Sequence, residues 1–290
     1  MHMLRLLVVL LVGASGAARA PSYNLTVAVR LAEASYCTSN NTFILPSSLA
    51  AHATVVAVHE ARGARVMVGV YDDGQGDAYV FASFRGTENY ENWADNLKVV
   101  REHPYRDDYE NAGVEIGFVK WYDGLLKGLT RGLDAARALR FPNAAAAPLF
   151  VTGHSAGGAV ATLMAFDVLR GGVFEGLRLE GTITFGSPRV GNAAFAAAFG
   201  EIANGEQVEH WRVTHRRDVI PHMPETRLGF LHVSNELWQP TDDAENIVAC
   251  DDGDGAEDPR CSNSCAPLHC TSKADHLTYL GVPLGIAGCA

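Results

Sequence analysis

The sequence predicts an α/β protein whose largely parallel central sheet is covered by helices on both faces. Two observations carry that expectation. Short β-branched and aromatic runs alternate with longer segments of helical spacing along the 290 residues. The helical stretch 156–169 is apolar on most sides, as a helix buried against a sheet would be. No linker-like stretch divides residues 21–290, so they read as one domain.

In chain order, residues 1–20 stand apart. Arg5 precedes a short apolar run, Leu6 to Val12, and small residues lead to Ala18-Arg19-Ala20. A basic start, a short apolar core and an A-x-A ending describe a secretory signal peptide, and the run is too short to span a bilayer. Residues 66–71 and 79–84 read as strands joined by the hairpin loop Asp72-Asp73-Gly74-Gln75-Gly76-Asp77. Over 114–139, Phe118, Tyr122, Leu125, Leu129, Leu133 and Ala136 recur at helical spacing, and Pro142 ends the helix. Residues 149–151 form a short buried strand running into Gly153-His154-Ser155. A helix then covers 156–169 and stops at Gly171-Gly172. Residues 182–185 and 208–214 supply two more strands.

Composition excludes several classes. With 23 basic and 33 acidic side chains the net charge is −10, and there is no basic stripe, so nucleic acid is not an expected partner. Export makes the six cysteines legible as three disulfides: Cys37, Cys250, Cys261, Cys265, Cys270 and Cys289. Sequence does not choose among the pairings. Cys37 with Cys289 would tie the two ends of the domain, and Cys250 with Cys261 would close an acidic loop. A zinc site at Cys265, Cys270 and nearby His269 is the competing reading, disfavoured by an oxidising compartment and by the lack of a second tight cysteine pair. Asn24-Leu25-Thr26 and Asn40-Asn41-Thr42 are glycosylation sequons. The acidic loop 251–258 faintly resembles a calcium loop but has Asn263 where the last carboxylate ligand belongs, so it reads as solvated.

The chemistry starts at Gly153-His154-Ser155-Ala156-Gly157, a G-x-S-x-G pattern between a strand and a helix. A strand turning at once into a helix holds the serine in a strained conformation, and only glycines two residues either side leave room for it. The hydroxyl then stands at the strand's C-terminal end, beside the free N–H groups of a helix N-terminus. An ordinary Gly-rich turn would also fit the bare pattern. A serine nucleophile needs a base, and the base needs an orienting acid. Asp218 follows a strand within Thr214-His215-Arg216-Arg217-Asp218, where it could instead cap a helix or pair with an arginine. Chain order leaves His269 and His276 competing as base.

Five ordered segments resemble the fungal-type (class 3) lipases, which have the α/β-hydrolase fold. They are Phe84-Arg85-Gly86-Thr87, Gly153 to Ala159, Phe185-Gly186-Ser187-Pro188-Arg189-Val190-Gly191-Asn192, the segment from His215 to Pro224, and the segment from Asp275 to Gly281. The resemblance spans roughly residues 60 to 285. It implies Ser155 as nucleophile, Asp218 as acid and His276 as base, with His269 a loop residue. It also implies an oxyanion hole from the backbone N–H groups of Ala156 and Thr87, although Thr87 could instead be only a turn residue. Arg85 reads as structural, because the charge develops at the oxyanion and a buried arginine is usually tied to a carboxylate. Residues 88–97 would be a short helical lid presenting Tyr90, Trp93 and Leu97 on one face. A surface helix packing those side chains into the core fits the same pattern.

Two positions depart from the family. Ala94 stands in the lid where many members have a larger aliphatic, and Glu115 replaces a usual histidine. The resemblance implies a secreted serine hydrolase of acylglycerol esters, met at an oil–water or membrane interface. No metal, organic cofactor or obligate protein partner is implied. The alternatives are a feruloyl or other soluble-ester carboxylesterase of the same family, and a non-catalytic lipid-binding secreted protein.

Overall fold

The structure, a computed structural model, describes residues 9–11, 23–39, 42–87, 100–171, 173–252, 257–265 and 269–289. Nine strands among them form the main sheet: β1 (Val9–Leu11), β2 (Ala53–Ala61), β3 (Ala64–Asp72), β4 (Ala78–Arg85) and β5 (Ala147–His154), then β6 (Leu177–Phe185), β7 (Glu209–His215), β8 (Glu236–Gln239) and β9 (Ile247–Ala249). Their spatial order is β1-β9-β8-β7-β6-β5-β4-β3-β2. Strands β4 to β8 are parallel to one another. The pairs β2–β3, β3–β4 and β8–β9 are antiparallel, and β1 adds to β9 in parallel. Strand β1 falls within the segment read as a signal peptide.

The sheet divides the core in two because successive side chains alternate faces. Val66, Val68, Val80, Ala82 and Val151 point to one face, where helices α2 (Ile116–Arg140), α3 (Ala156–Leu169) and α4 (Ala193–Gly205) lie. Met67, Phe81, Phe150 and Phe185 point to the other, covered by α1 (Leu25–Ala34). All six residues of the stripe expected on α2 are buried, and the helix ends at Arg140, just before Pro142. Helix α3 takes the expected bounds. Its first twelve residues are all buried, because it sits against β4, β5 and β6 with α2 and α4 beside it. The hairpin loop after β3 is held by Asp73, whose Oδ1 accepts from the amides of Gln75, Gly76 and Asp77.

All six cysteines are paired, as Cys37–Cys289, Cys250–Cys261 and Cys265–Cys270. The first bridge joins the end of α1 to the C-terminal turn across 252 residues. The second closes the acidic loop. Three of its described residues, Asp252, Glu257 and Asp258, depart from the expectation of a solvated segment, while Asp251 is exposed. Asp252 Oδ2 accepts from Arg212 Nη2 at 3.3 Å and from the amide of Glu236 at 2.8 Å. Glu257 pairs with the buried Arg189, and Asp258 is 4% exposed. Charge alone suggested solvent; the arginines it meets come from strands and loops distant in sequence.

Loop-closure entropy across 252 residues makes the Cys37–Cys289 bridge worth at most about 5–6 kcal/mol. The double substitution Cys37→Ser/Cys289→Ser is therefore expected to lower the guanidinium unfolding midpoint substantially, measured with the other two bridges intact. An unchanged midpoint would refute that contribution.

Candidate active site

The strand–helix turn at the end of β5 puts Ser155 at φ 59° and ψ −135°, a left-handed conformation that an L-residue adopts only under constraint. The flanking glycines are sterically required. A Cβ on Gly153 would lie 2.5 Å from the carbonyl oxygen of Gly157, and one on Gly157 would lie 2.3 Å from that of Phe84. Strand β4 and the start of α3 thus touch backbone to backbone.

Parallel order then sets the neighbours. The ends of β5, β6 and β7 lie side by side, carrying Ser155, Gly186 and the turn to Asp218. His276 comes from a 3-10 turn near the C-terminus, Asp275–Leu277. Its Nε2 accepts from Ser155 Oγ at 2.9 Å, and its Nδ1 donates to Asp218 Oδ2 at 2.8 Å. All three side chains are buried. Gly186 has φ 55°, and a Cβ there would lie 2.9 Å from Asp218 Oδ2 and 3.0 Å from His276 Nδ1. Only glycine leaves the space that the carboxylate and the imidazole share.

Asp218 also comes close to the cap that the sequence offered as an alternative. Its Oδ1 accepts from the amide of Ile220 at 2.8 Å and so holds the chain two residues on, at the start of the turn Ile220–His222, whose cap position is Val219. The arginines beside it look elsewhere: Arg216 to Asp242, and Arg217 to the carbonyl of His269 at 2.6 Å. His276, and not His269, is the histidine that meets both Ser155 Oγ and Asp218 Oδ2.

Two groups of the site were missed in the sequence. Tyr279 Oη donates to Asp218 Oδ2 at 2.5 Å, so one carboxylate oxygen takes two hydrogen bonds. Burial, together with the neighbouring Asp218 charge, pushes the Tyr279 phenol well above its ordinary range and keeps it a donor. The only sequence signal was position, three residues after His276 in a quoted motif. The second group is Tyr36 with His154. Tyr36 Oη accepts from the amide of Gly86 at 3.0 Å and donates to His154 Nδ1 at 2.7 Å. His154 Nε2 in turn donates to the carbonyl of His276 at 2.8 Å. Burial and the adjacent His276 push His154 well below the usual histidine range, so its ring stays neutral, as this pattern needs. Tyr36 lies 118 residues from His154, and no local pattern marks it.

This chain of bonds also joins the loop of Thr87 to the site. A Cβ on Gly86 would lie 2.8 Å from Ser155 Cβ. Ala156 is the first residue of α3, directly behind Ser155. Arg85 meets Glu60 at 3.4 Å, as a structural arginine should. Glu115 caps α2, its carboxylate accepting from the amide of Phe118 at 2.9 Å. The lid residues Tyr90, Trp93 and Leu97 lie outside the described residues.

The turn bearing Asp218 is clamped from below. Arg189 donates Nη1 to the carbonyl of Pro224 at 2.9 Å and forms a bidentate pair with Glu257 at 2.7 and 2.6 Å. Glu257 also accepts from the amide of His232 and from Asn263 Nδ2. Burial opposes ionisation of Glu257, yet the Arg189 hydrogen bonds and nearby positive charge outweigh it and hold the carboxyl well below its usual range. The strap closed by Cys250–Cys261 thereby reaches the acid-bearing turn through one arginine.

Known proteins of similar sequence and fold are lipases. The family profile described as Lipase (class 3) matches residues 81–228. A lipase of Rhizomucor miehei is 32% identical over 217 residues, covering 73% of this chain and 55% of its own length. The secreted mono- and diacylglycerol lipase 1 of Fusarium solani is 29% identical over 86% of this chain and 72% of its own. The chain thus matches little more than half of the Rhizomucor sequence. In structure, the Rhizomucor miehei triacylglyceride lipase superposes with a TM-score of 0.72 at 27% identity, covering 91% of this chain and 95% of that one.

Glu257→Gln is expected to cost about 3–5 kcal/mol of unfolding free energy, because it leaves Arg189 buried without its counter-charge; denaturant melts measure it. Stability should also fall with pH in a definite window. Burial pushes His210 and His222 down to about 4, below the unfolded value of about 6.5. The unfolded chain therefore binds more protons between those values, and stability drops as pH falls from about 6.5 toward 4. Glu257, depressed in the folded state, adds a further loss below about pH 4.3. Denaturant melts that stay flat between pH 7 and 4 would contradict the assignment of neutral buried histidines.

Proposed function

The chain belongs to the class 3 lipase family, and from that premise we propose that it is a secreted serine hydrolase of acylglycerol esters. The observation that carries the reading is the continuous set of hydrogen bonds from Ser155 through His276 to Asp218. His276 Nε2 takes the Ser155 proton as Oγ attacks the ester carbonyl. Asp218 and Tyr279 hold the imidazole in the tautomer that accepts at Nε2 and stabilise the imidazolium that forms. The tetrahedral oxyanion lies between the backbone N–H groups of Ala156 and Thr87. Collapse expels the alcohol, which leaves with the proton from His276, and an acyl-serine remains. Water, deprotonated by His276, attacks that ester and releases the fatty acid, and Ser155 recovers its proton.

Secretion is supported by three disulfides and by the leader-like composition of residues 1–20. Tyr90, Trp93 and Leu97 recur at helical spacing in the sequence, which fits an apolar face offered to a lipid surface, so the partner proposed is an ester-bearing lipid interface. The small Ala94 followed by the charged Asp95 favours one second reading, a soluble-ester carboxylesterase.

Ser155→Ala should reduce p-nitrophenyl ester hydrolysis by at least ~10³-fold while the fold persists by circular dichroism. Equal rates for mutant and wild type would sink the hydrolase reading. The two substrate readings part on a concentration series with a short-chain triglyceride. A rate increase at the solubility limit supports the lipase, and saturation on dissolved monomer supports the carboxylesterase.

A further inference from the structure

Outside the Ser155 site, the described residues contain one cluster of three metal-ligating side chains: His222, Cys265 and Cys270. Their ligand atoms all lie within 4.8 Å of one another. The two sulfurs are joined as a disulfide, so the cluster is closed to metal as it stands. The histidine comes from another part of the chain, the turn Ile220–His222 that follows Asp218. Both of its ring nitrogens are buried, and neither makes a hydrogen bond of ordinary geometry among the described residues. Asn263 is the polar side chain that acts on the ring, so the imidazole is weakly satisfied.

We propose that reduction of Cys265–Cys270 turns this cluster into a Cys2His site for a thiophilic divalent cation such as Zn2+ or Cd2+. The ligand set is one that zinc accepts, with three protein donors and a fourth position for water. The geometry needs one adjustment. Tetrahedral Zn–S bonds of about 2.3 Å put two sulfurs about 3.8 Å apart, so they must separate by less than about 2 Å after the bond breaks. The imidazole is already within the 4.8 Å envelope. A dithiol reduces the disulfide by exchange, handing over two electrons and its own two thiol protons as it closes to a disulfide; a phosphine supplies two electrons, and one water supplies both protons and the oxygen of the phosphine oxide. Binding of the cation then displaces the two thiol protons to solvent.

The position gives the site a consequence. The disulfide segment is joined to the acid-bearing turn by the amide of Ser272 donating to the carbonyl of Arg217, and by Arg217 Nε donating to the carbonyl of His269. A bound cation would replace the sulfur–sulfur link and add a second link, to His222, four residues from Asp218.

The test uses the full chain, oxidised or reduced anaerobically with a phosphine that is then removed, and titrated with Co2+ as a spectroscopic stand-in for Zn2+. The expected result is one equivalent bound with thiolate-to-cobalt charge transfer in the reduced protein and none in the oxidised. His222→Ala, which leaves every cysteine in place, should weaken the affinity at least ~10-fold. Cys250→Ser/Cys261→Ser should leave the signal intact, whereas Cys265→Ser/Cys270→Ser should remove it. Equal binding by oxidised protein, or an unchanged affinity in His222→Ala, overturns the proposal even if the cysteine variants do not fold.

Discussion

A single carboxylate oxygen, Asp218 Oδ2, is the point on which the rest of the structure turns. It accepts from the imidazole of His276 and from the phenol of Tyr279, and the companion oxygen accepts from the amide of Ile220. A carboxylate this far from water is tolerated only when its lone pairs are met, and any missing partner would leave a buried charge uncompensated. Gly186 exists in that arrangement as empty space, since a methyl group there would enter the gap between carboxylate and imidazole.

Meeting that requirement needs four separate stretches of chain at one place. The parallel order of β5, β6 and β7 delivers three of them without long excursions, because neighbouring parallel strands end on the same side of the sheet. The fourth, with His276 and Tyr279, arrives from the C-terminal region, where Cys37–Cys289 ties the chain back to α1. The same helix α1 is followed by Tyr36, so one element anchors the terminus and, through His154, the loops of Gly86 and His276.

Beneath the acid-bearing turn lies a group of directional buried ion pairs. Arg189, Glu257, Arg212 and Asp252 are buried together under the strap that Cys250–Cys261 closes. Buried ion pairs of this kind add little net stability over an apolar substitute, but they are directional, and here they set the height of the turn that bears Asp218. Neutral buried histidines are the cost of the same design, since protonation has no compensating solvent.

Motif and period carried much of this protein. The glycines around Ser155, the stripe on α2 and the all-apolar α3 are local patterns, and local sterics and periodicity decide them wherever the chain goes. The order Ser155, Asp218, His276 was readable too, although only resemblance separated His276 from His269. Other features depended on what lies across space. Tyr36 beside His154, Tyr279 on Asp218, Arg189 on Glu257 and His222 against Cys265–Cys270 join residues whose separation in sequence holds no information about their meeting. The acidic loop shows the reason most plainly. A carboxylate's own sequence reports its charge, whereas its burial is set by whether an arginine on another strand reaches it, and only the folded sheet decides that.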